Sequence, residues 1–293
     1  IVIHTGPPNS RHLGIAFNKL SVYASGECGG GWLYGVENKV SVFVSDRYGN
    51  PVGNTGVSLY TEAGTIEASV TTDVLGRAVA TWYTNSPWPQ DVFRRNTVIF
   101  TVDGEEYFDD TNGDGDKDLA ENYDNLSEPL VDSNENGSRD AGEIYIDLNS
   151  NGQWDDPNNV VWDGKTTIYI SGKFAISGMP EPSLSPDPFS YQCGIPLTFT
   201  VSASDCAGNP LEPTVNVSLT LSGQGATMVT ISPSSFSRDY DSLADVPFSF
   251  TMNTASSITL CTLIPPTTPL SINVKVTSPN GDVDTTFTGE VIQ

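Results

Sequence analysis

Val40-Ser-Val42-Phe-Val44-Ser-Asp46-Arg-Tyr-Gly49-Asn50-Pro51-Val52 returns 159 residues later as Phe199-Thr-Val201-Ser-Ala203-Ser-Asp205-Cys-Ala-Gly208-Asn209-Pro210-Leu211. In both stretches apolar and polar residues alternate, the period of a strand with one buried face. The Asp-x-x-Gly-Asn-Pro that follows is turn chemistry: glycine tolerates positive φ, and proline presets the exit into the next strand. A second alternating strand comes next each time, Val57-Ser-Leu59-Tyr60 in the first half and Val215-Asn-Val217-Ser-Leu219 in the second. Short strands repeated between turn signals predict β-sandwiches. The 293 residues are enough for two of them, each with its own core. Abundant β-branched and aromatic residues agree with an all-β chain, and helical periodicity is nearly absent.

The first of these strands, its Asp46-x-x-Gly49-Asn50-Pro51-Val52 turn and the later Thr72-Asp73-Val-Leu-Gly76-Arg-Ala78 together resemble the bacterial immunoglobulin-like domains of invasin and intimin type. The resemblance covers about residues 12–104. It implies seven- or eight-stranded sandwiches that serve as rigid spacers and carriers on cell surfaces. The second half keeps Gly208-Asn209-Pro210 but lacks the Thr-Asp-x-x-Gly-x-Ala motif. For residues 173–293 the expectation is therefore an immunoglobulin-like sandwich without closer assignment.

The halves differ near their ends. In the second, Ser271–Val276 reaches a tight Ser278-Pro-Asn-Gly281 turn and returns through Thr285-Thr-Phe-Thr288. In the first, Thr97–Val102 runs into an acidic segment, and an alternating strand resumes only at Thr166–Ile170. The expected organisation is thus domain one over 1–172, with an insertion at about 103–164 in place of its last hairpin, and domain two over 173–293. The insertion must fold back on itself, because its ends lie one strand spacing apart. Of the net charge of −23, residues Asp103 to Asp163 hold 19 acids against Lys117 and Arg139, a local −17 that leaves −6 for everything else. Such a surface repels nucleic acid and anionic membranes alike.

One pattern occurs three times in the insertion: Glu-x-x-x-Asp-x-Asn-x-(Asp/Asn)-Gly-x-x-Asp. The copies are Glu106, Asp110, Asn112, Asp114, Asp118; Glu128, Asp132, Asn134, Asn136, Asp140; and Glu143, Asp147, Asn149, Asn151, Asp155. The spacing is that of an EF-hand-type loop, in which positions one, three and five give side-chain oxygens and the glycine at six makes the turn. Position seven, here Asp116, Ser138 and Gln153, gives a backbone carbonyl, and position nine a carboxylate or water. Glu121 and Glu143 stand at position twelve of the first two loops; the third has Asn158 and must recruit a substitute, Asp156 or Glu143. Glu143 also has the place to link neighbouring ions. All donors are hard oxygens, which selects calcium, two to three ions, over transition metals. Over about residues 106–158 the segment resembles the Asp/Asn-Gly calcium repeats of dockerins and thrombospondin-type-3 stalks. True EF-hand helices are missing, and only Leu119–Leu126 is expected to form a short helix. Tyr107, Phe108, Leu130, Val131, Ile144, Tyr145, Ile146 and Trp154 predict a small packed unit.

Other chemistry is poorly supplied. His4 and His12 sit in a Pro/Ser-rich leader, no nucleophile motif is present, and Gly29-Gly-Gly31 is followed by no Lys-Ser/Thr. An enzyme is not expected. Tryptophans 32, 82, 88, 154 and 162 are read as packing residues before a carbohydrate platform. Cys28, Cys193, Cys206 and Cys261 match no zinc spacing; one bridge is expected, Cys193–Cys261 or Cys206–Cys261. There is no run long enough for a transmembrane segment, and a start at Ile1 reads as a processed product or fragment. The expected role is an extracellular or cell-surface structural protein, a spacer or subunit of an appendage, adhesin or filament. Its partners would be copies of itself or other surface proteins, with a glycan or host receptor as the alternative. For a filament, Ile1-Val-Ile3 would add as a strand to a neighbouring sheet edge.

Overall fold

The structure, a computed structural model, describes residues 5–26, 31–89, 93–157, 159, 161–255 and 265–293. His4, the Ile1–Ile3 segment, Cys28, Cys261 and Asn158 lie outside the described residues. Two compact units are present: Ile1–Lys19 with Tyr34–Phe174, and Leu20–Leu33 with Ala175–Gln293.

The first nine strands are β1 (Leu13–Phe17), β2 (Ser21–Tyr23), β3 (Glu37–Val44), β4 (Gly56–Thr61), β5 (Thr65–Ile66), β6 (Ser69–Thr71), β7 (Arg77–Tyr83), β8 (Arg95–Gly104) and β9 (Thr166–Ser177). They form sheets of order β1-β3-β7-β5 and β2-β9-β8-β4-β6. The next nine are β10 (Ser183–Ser185), β11 (Phe189–Gln192), β12 (Leu197–Ser202), β13 (Val215–Ser222), β14 (Val229–Ser232), β15 (Ser235–Arg238), β16 (Phe248–Thr254), β17 (Thr267–Ser278) and β18 (Gly281–Ile292). Their sheets run β10-β12-β16-β14 and β11-β18-β17-β13-β15. Adding nine to every strand of the first set reproduces the second. One topology occurs twice, down to the parallel edge pairs β2·β9 and β11·β18. Two facing antiparallel sheets with that parallel edge are immunoglobulin-like β-sandwiches.

In the first unit the alternation read from sequence is the burial pattern: Val40, Val42 and Val44 of β3 face inward, as do Ala78, Ala80 and Trp82 of β7. Trp82 is fully buried against Phe174, and its indole N–H donates to the Ala63 carbonyl, 2.7 Å. The second unit centres on Phe199, Phe250, Tyr191, Val217 and Ile272. Cys193 and Cys206 are both disulfide-bonded; the choice between a Cys193 and a Cys206 pairing with Cys261 falls outside the described residues.

The repeated turn is closed by the same two backbone bonds in both copies. Asp46 Oδ1 accepts from the N–H groups of Tyr48 and Asn50, and Asp205 Oδ1 from those of Ala207 and Asn209. Gly49 and Gly208 take φ of 78° and 79°, a region that only glycine enters freely. Asp73 repeats the device toward Leu75 and Arg77.

Candidate metal-binding insert

Between β8 and β9, which are neighbours in their sheet, the chain departs at Glu105 and returns at Lys165; the second sandwich spans the same step with the two-residue Ser278–Gly281 hairpin. A reciprocal pair of bonds closes the departure. Glu106 N–H donates to the Asp163 carbonyl, and Asp163 N–H donates to Glu106 Oε2, each 2.9 Å.

All three loops fold alike. At position one, Asp110 accepts from Gly113 and Gly115, Asp132 from Asn136 and Gly137, and Asp147 from Asn151 and Gly152. The glycines at position six hold φ of 84°, 78° and 78°, which explains their place in the pattern. Positions three, five and nine meet at one point. Asn112 donates to Asp114 and Asp118, Asn134 and Asn136 to Asp140 Oδ2, and Asn149 and Asn151 to Asp155 Oδ2, all within 2.6–2.9 Å. At position seven, Asp116, Ser138 and Gln153 give their N–H groups to the side chains at position five.

The distal glutamates close the first two loops as the spacing implies. Glu121 accepts from the N–H groups of Thr111 and Asp118, and Glu143 from those of Ser133 and Asp140. In the third loop the same two positions, Leu148 and Asp155, donate to Glu128. The glutamate that closes loop three is therefore Glu128; Glu143 is engaged by loop two, and Asp156 is exposed. Glu106 and Glu128 thus do not serve the loops they precede, and each reaches 20 residues ahead, to Leu126 and Leu148. The short helix expected at Leu119–Leu126 does not form. Leu119 is wholly exposed in a turn, and Tyr123 instead bridges to Phe108 as Tyr145 does to Leu130.

Phe108 and Val131 are buried, and Trp162 packs edge-on against Phe108 with ring centroids 5.2 Å apart. Trp154 and Trp162 donate their indole N–H groups to the carbonyls of Glu128 and Glu106, so both are structural. Basic residues of the sandwich clamp the insert. Arg47 grips buried Glu105 through two hydrogen bonds and donates to the Gly115 carbonyl of loop one. Arg11 pairs with Asp124, and Arg95 and Lys173 with Glu135. No sequence signal marked these clamps, except that Arg47 stands where the second copy has Cys206.

Burial pushes the Glu106 carboxyl above its ordinary value, against the lowering effect of its two backbone donors. Hydrogen bonds from Asn134 and Asn136 hold Asp140 low, and the backbone bond from Asp118 does so for Glu121. Among the described residues no three Asp, Glu, His or Cys side chains are drawn onto one centre; in each loop Asn amides stand between the carboxylates. The donor set is oxygen throughout, which suits a hard divalent cation and excludes a thiolate or imidazole site.

No family model matches this chain, and no curated protein is similar to it. Solved structures similar to it include the adhesin InvE of Yersinia pseudotuberculosis, at 12% identity over 97% of this chain and 60% of that one, TM-score 0.29. The D0–D1 domain of intimin shares 12% identity over 96% of this chain and 98% of its own, TM-score 0.26. Domains 4 and 5 of the S-layer protein SbsC share 19% over 43% and 59%, TM-score 0.25. The chain spans 60% of the InvE structure's length.

Proposed function

We propose that this chain is an extracellular, calcium-stabilised structural module, a spacer or subunit of a surface appendage, adhesin or filament, and not an enzyme. The observation that carries the reading is the threefold recurrence of one oxygen-lined loop, each closed by a glutamate, on a segment of charge −17. Bound calcium would supply the positive charge that this segment lacks. The position-one, -three, -five and -nine side chains and Glu121, Glu143 and Glu128 would hold it. The closing glutamates tie positions two and nine of each loop, so ordering a loop also orders its neighbours.

At free calcium ten times the dissociation constant, each site adds about 1.4 kcal/mol to the native state. Extracellular modules bind at roughly 10⁻⁴–10⁻³ M, so the effect is expected at millimolar calcium. Thermal unfolding by circular dichroism in EDTA and in several millimolar calcium is the test, and equal midpoints would sink the calcium reading. Filaments in electron micrographs of native material would assign it to an appendage of repeated copies. Binding in a glycan array would favour the receptor-binding alternative instead.

A further inference from the structure

The insert contains a second instance of the third loop's closure, at its own base. Glu128 accepts from Leu148 and Asp155, pairs its N–H with the Asp155 carbonyl, and takes the Trp154 indole on its own carbonyl. Glu106 accepts from Leu126 and Asp163, pairs its N–H with the Asp163 carbonyl, and takes the Trp162 indole on its own carbonyl. The correspondence continues inside the loop. Asn151 donates to Asp155 and accepts from Gln153; Asn159 donates to Asp163 and accepts from Val161. Position one of the third loop is Asp147, 19 residues after Glu128, and 19 residues after Glu106 stands Asn125.

We propose that Glu106, Asn125, Asn159 and Asp163 form a fourth cation site for calcium, assembled from two stretches of chain with repeats two and three looped out between them. The proposal rests on the reading that the insert binds calcium. Two observations beyond the recurrence point to a ligand. Asn125 Oδ1 is buried and has no hydrogen-bond partner, although its amide nitrogen is fixed on the Asn159 carbonyl. A buried acceptor left unmade is costly, and a coordinated cation removes that cost. Glu106 is fully buried, and its carboxylate meets two backbone N–H groups and no basic side chain among the described residues. A buried carboxylate without a cation is unfavourable. A polar pocket of about 210 Å³, lined by Glu128, Asn149, Asn159 and Asp163 among others, lies where the third and fourth sites adjoin.

The test is calcium stoichiometry on the full chain, by native mass spectrometry and by terbium luminescence excited through tryptophan. Four ions are expected in the parent and three in Asp163→Ala, with Trp162→Phe removing one component of sensitised emission and Trp154→Phe another. Three ions in both proteins, with emission insensitive to Trp162→Phe, would overturn the fourth site and leave the loops standing. No bound ion in the parent would overturn the calcium reading with it. If Asp163→Ala does not fold, Asn125→Asp decides. It restores the carboxylate that Asp147 supplies to loop three, and should tighten one ion by about tenfold, since ligand charge sets affinity. A calcium affinity unchanged by Asn125→Asp refutes the site.

Discussion

Replacing Glu128 by Gln isolates the one carboxylate that the fold lends to the third loop. Glu128 is fully buried; Oε1 accepts from Leu148 N–H at 2.7 Å and Oε2 from Asp155 N–H at 3.3 Å. Glutamine keeps the shape but offers a single acceptor, so one of the two donors faces an NH₂ group. An unsatisfied donor costs about 1–3 kcal/mol. At about 1.4 kcal/mol per tenfold, and with the anionic ligand gone as well, the third site should weaken by roughly 10- to 100-fold. Terbium excited through Trp154 reads this site, because that indole is bonded to the Glu128 carbonyl and adjoins Asp155. Glu143→Gln should spare the Trp154 signal, since Glu143 closes loop two. The reasoning fails if Glu128→Gln leaves the Trp154-sensitised titration in place while Asp156→Asn or Glu143→Gln displaces it.

With Glu128 supplying the missing closure, Asp132→Ala and Asp147→Ala should cost similar calcium affinity in calorimetric titration; a much smaller loss for Asp147→Ala would mean that loop three is incomplete after all. Joining Asp103 to Gly164 through an Asn-Gly-type turn restores the hairpin of the second sandwich, and this shorter chain should melt cooperatively and without response to calcium. Failure of that chain to fold would make the insert part of the sandwich core. Asp46→Ala strips the acceptor from the first turn and should lower stability by about 2–3 kcal/mol in denaturant titrations. Burial opposes ionisation of Asp46, but hydrogen bonds from Asn50, Gly6 and Tyr48 outweigh it and hold the carboxyl below its ordinary value. Near pH 3–4 the unfolded chain therefore binds more protons at this residue. The Asp46 contribution is full above about 3.9 and fades as pH falls through the lower folded value. Asp46→Ala should flatten that part of the acid-stability curve, and an unchanged slope would count against this account.

The sandwiches were legible because burial alternates along β3, β7, β12 and β13 as their residues do, and because Asp46, Asp73 and Asp205 each write their turn within five residues. The three loops were legible for the same reason: positions one to nine are local. What escaped was every contact whose spacing is set by another element. Glu128 reaches Asp155 across 27 residues and Glu106 reaches Asp163 across 57, and a linear pattern puts both glutamates beside the wrong loop. Helix formers at Leu119–Glu121 suggested a helix, but Glu121 is held by Thr111 and Asp118, and Tyr123 by its bridge to Phe108. Likewise, nothing in residues 20–33 announces that Leu20 and Ser21 hydrogen-bond to Asp241 and Tyr23 to Glu212, which ties this early segment to the second unit.

The insert is a nest of closures, Glu106 to Asp163 outside and Glu128 to Asp155 within, and the balance of costs shows what holds the nest together. Closing the outer span of 57 residues instead of the inner 27 adds only about 0.6 kcal/mol of chain entropy. Two carboxylates about 4 Å apart repel by roughly 4 kcal/mol at the effective dielectric of a protein surface. Repulsion among 19 acids therefore outweighs loop length. From the sandwich, Arg11, Arg47, Arg95 and Lys173 form ion pairs with Asp124, Glu105 and Glu135. Glu106, Glu128 and Asp140 bond to backbone N–H groups and Asn amides. On the proposed reading calcium from solution supplies positive charge to the interior, so chelation should loosen the loops first and leave the Arg47–Glu105 clamp for last.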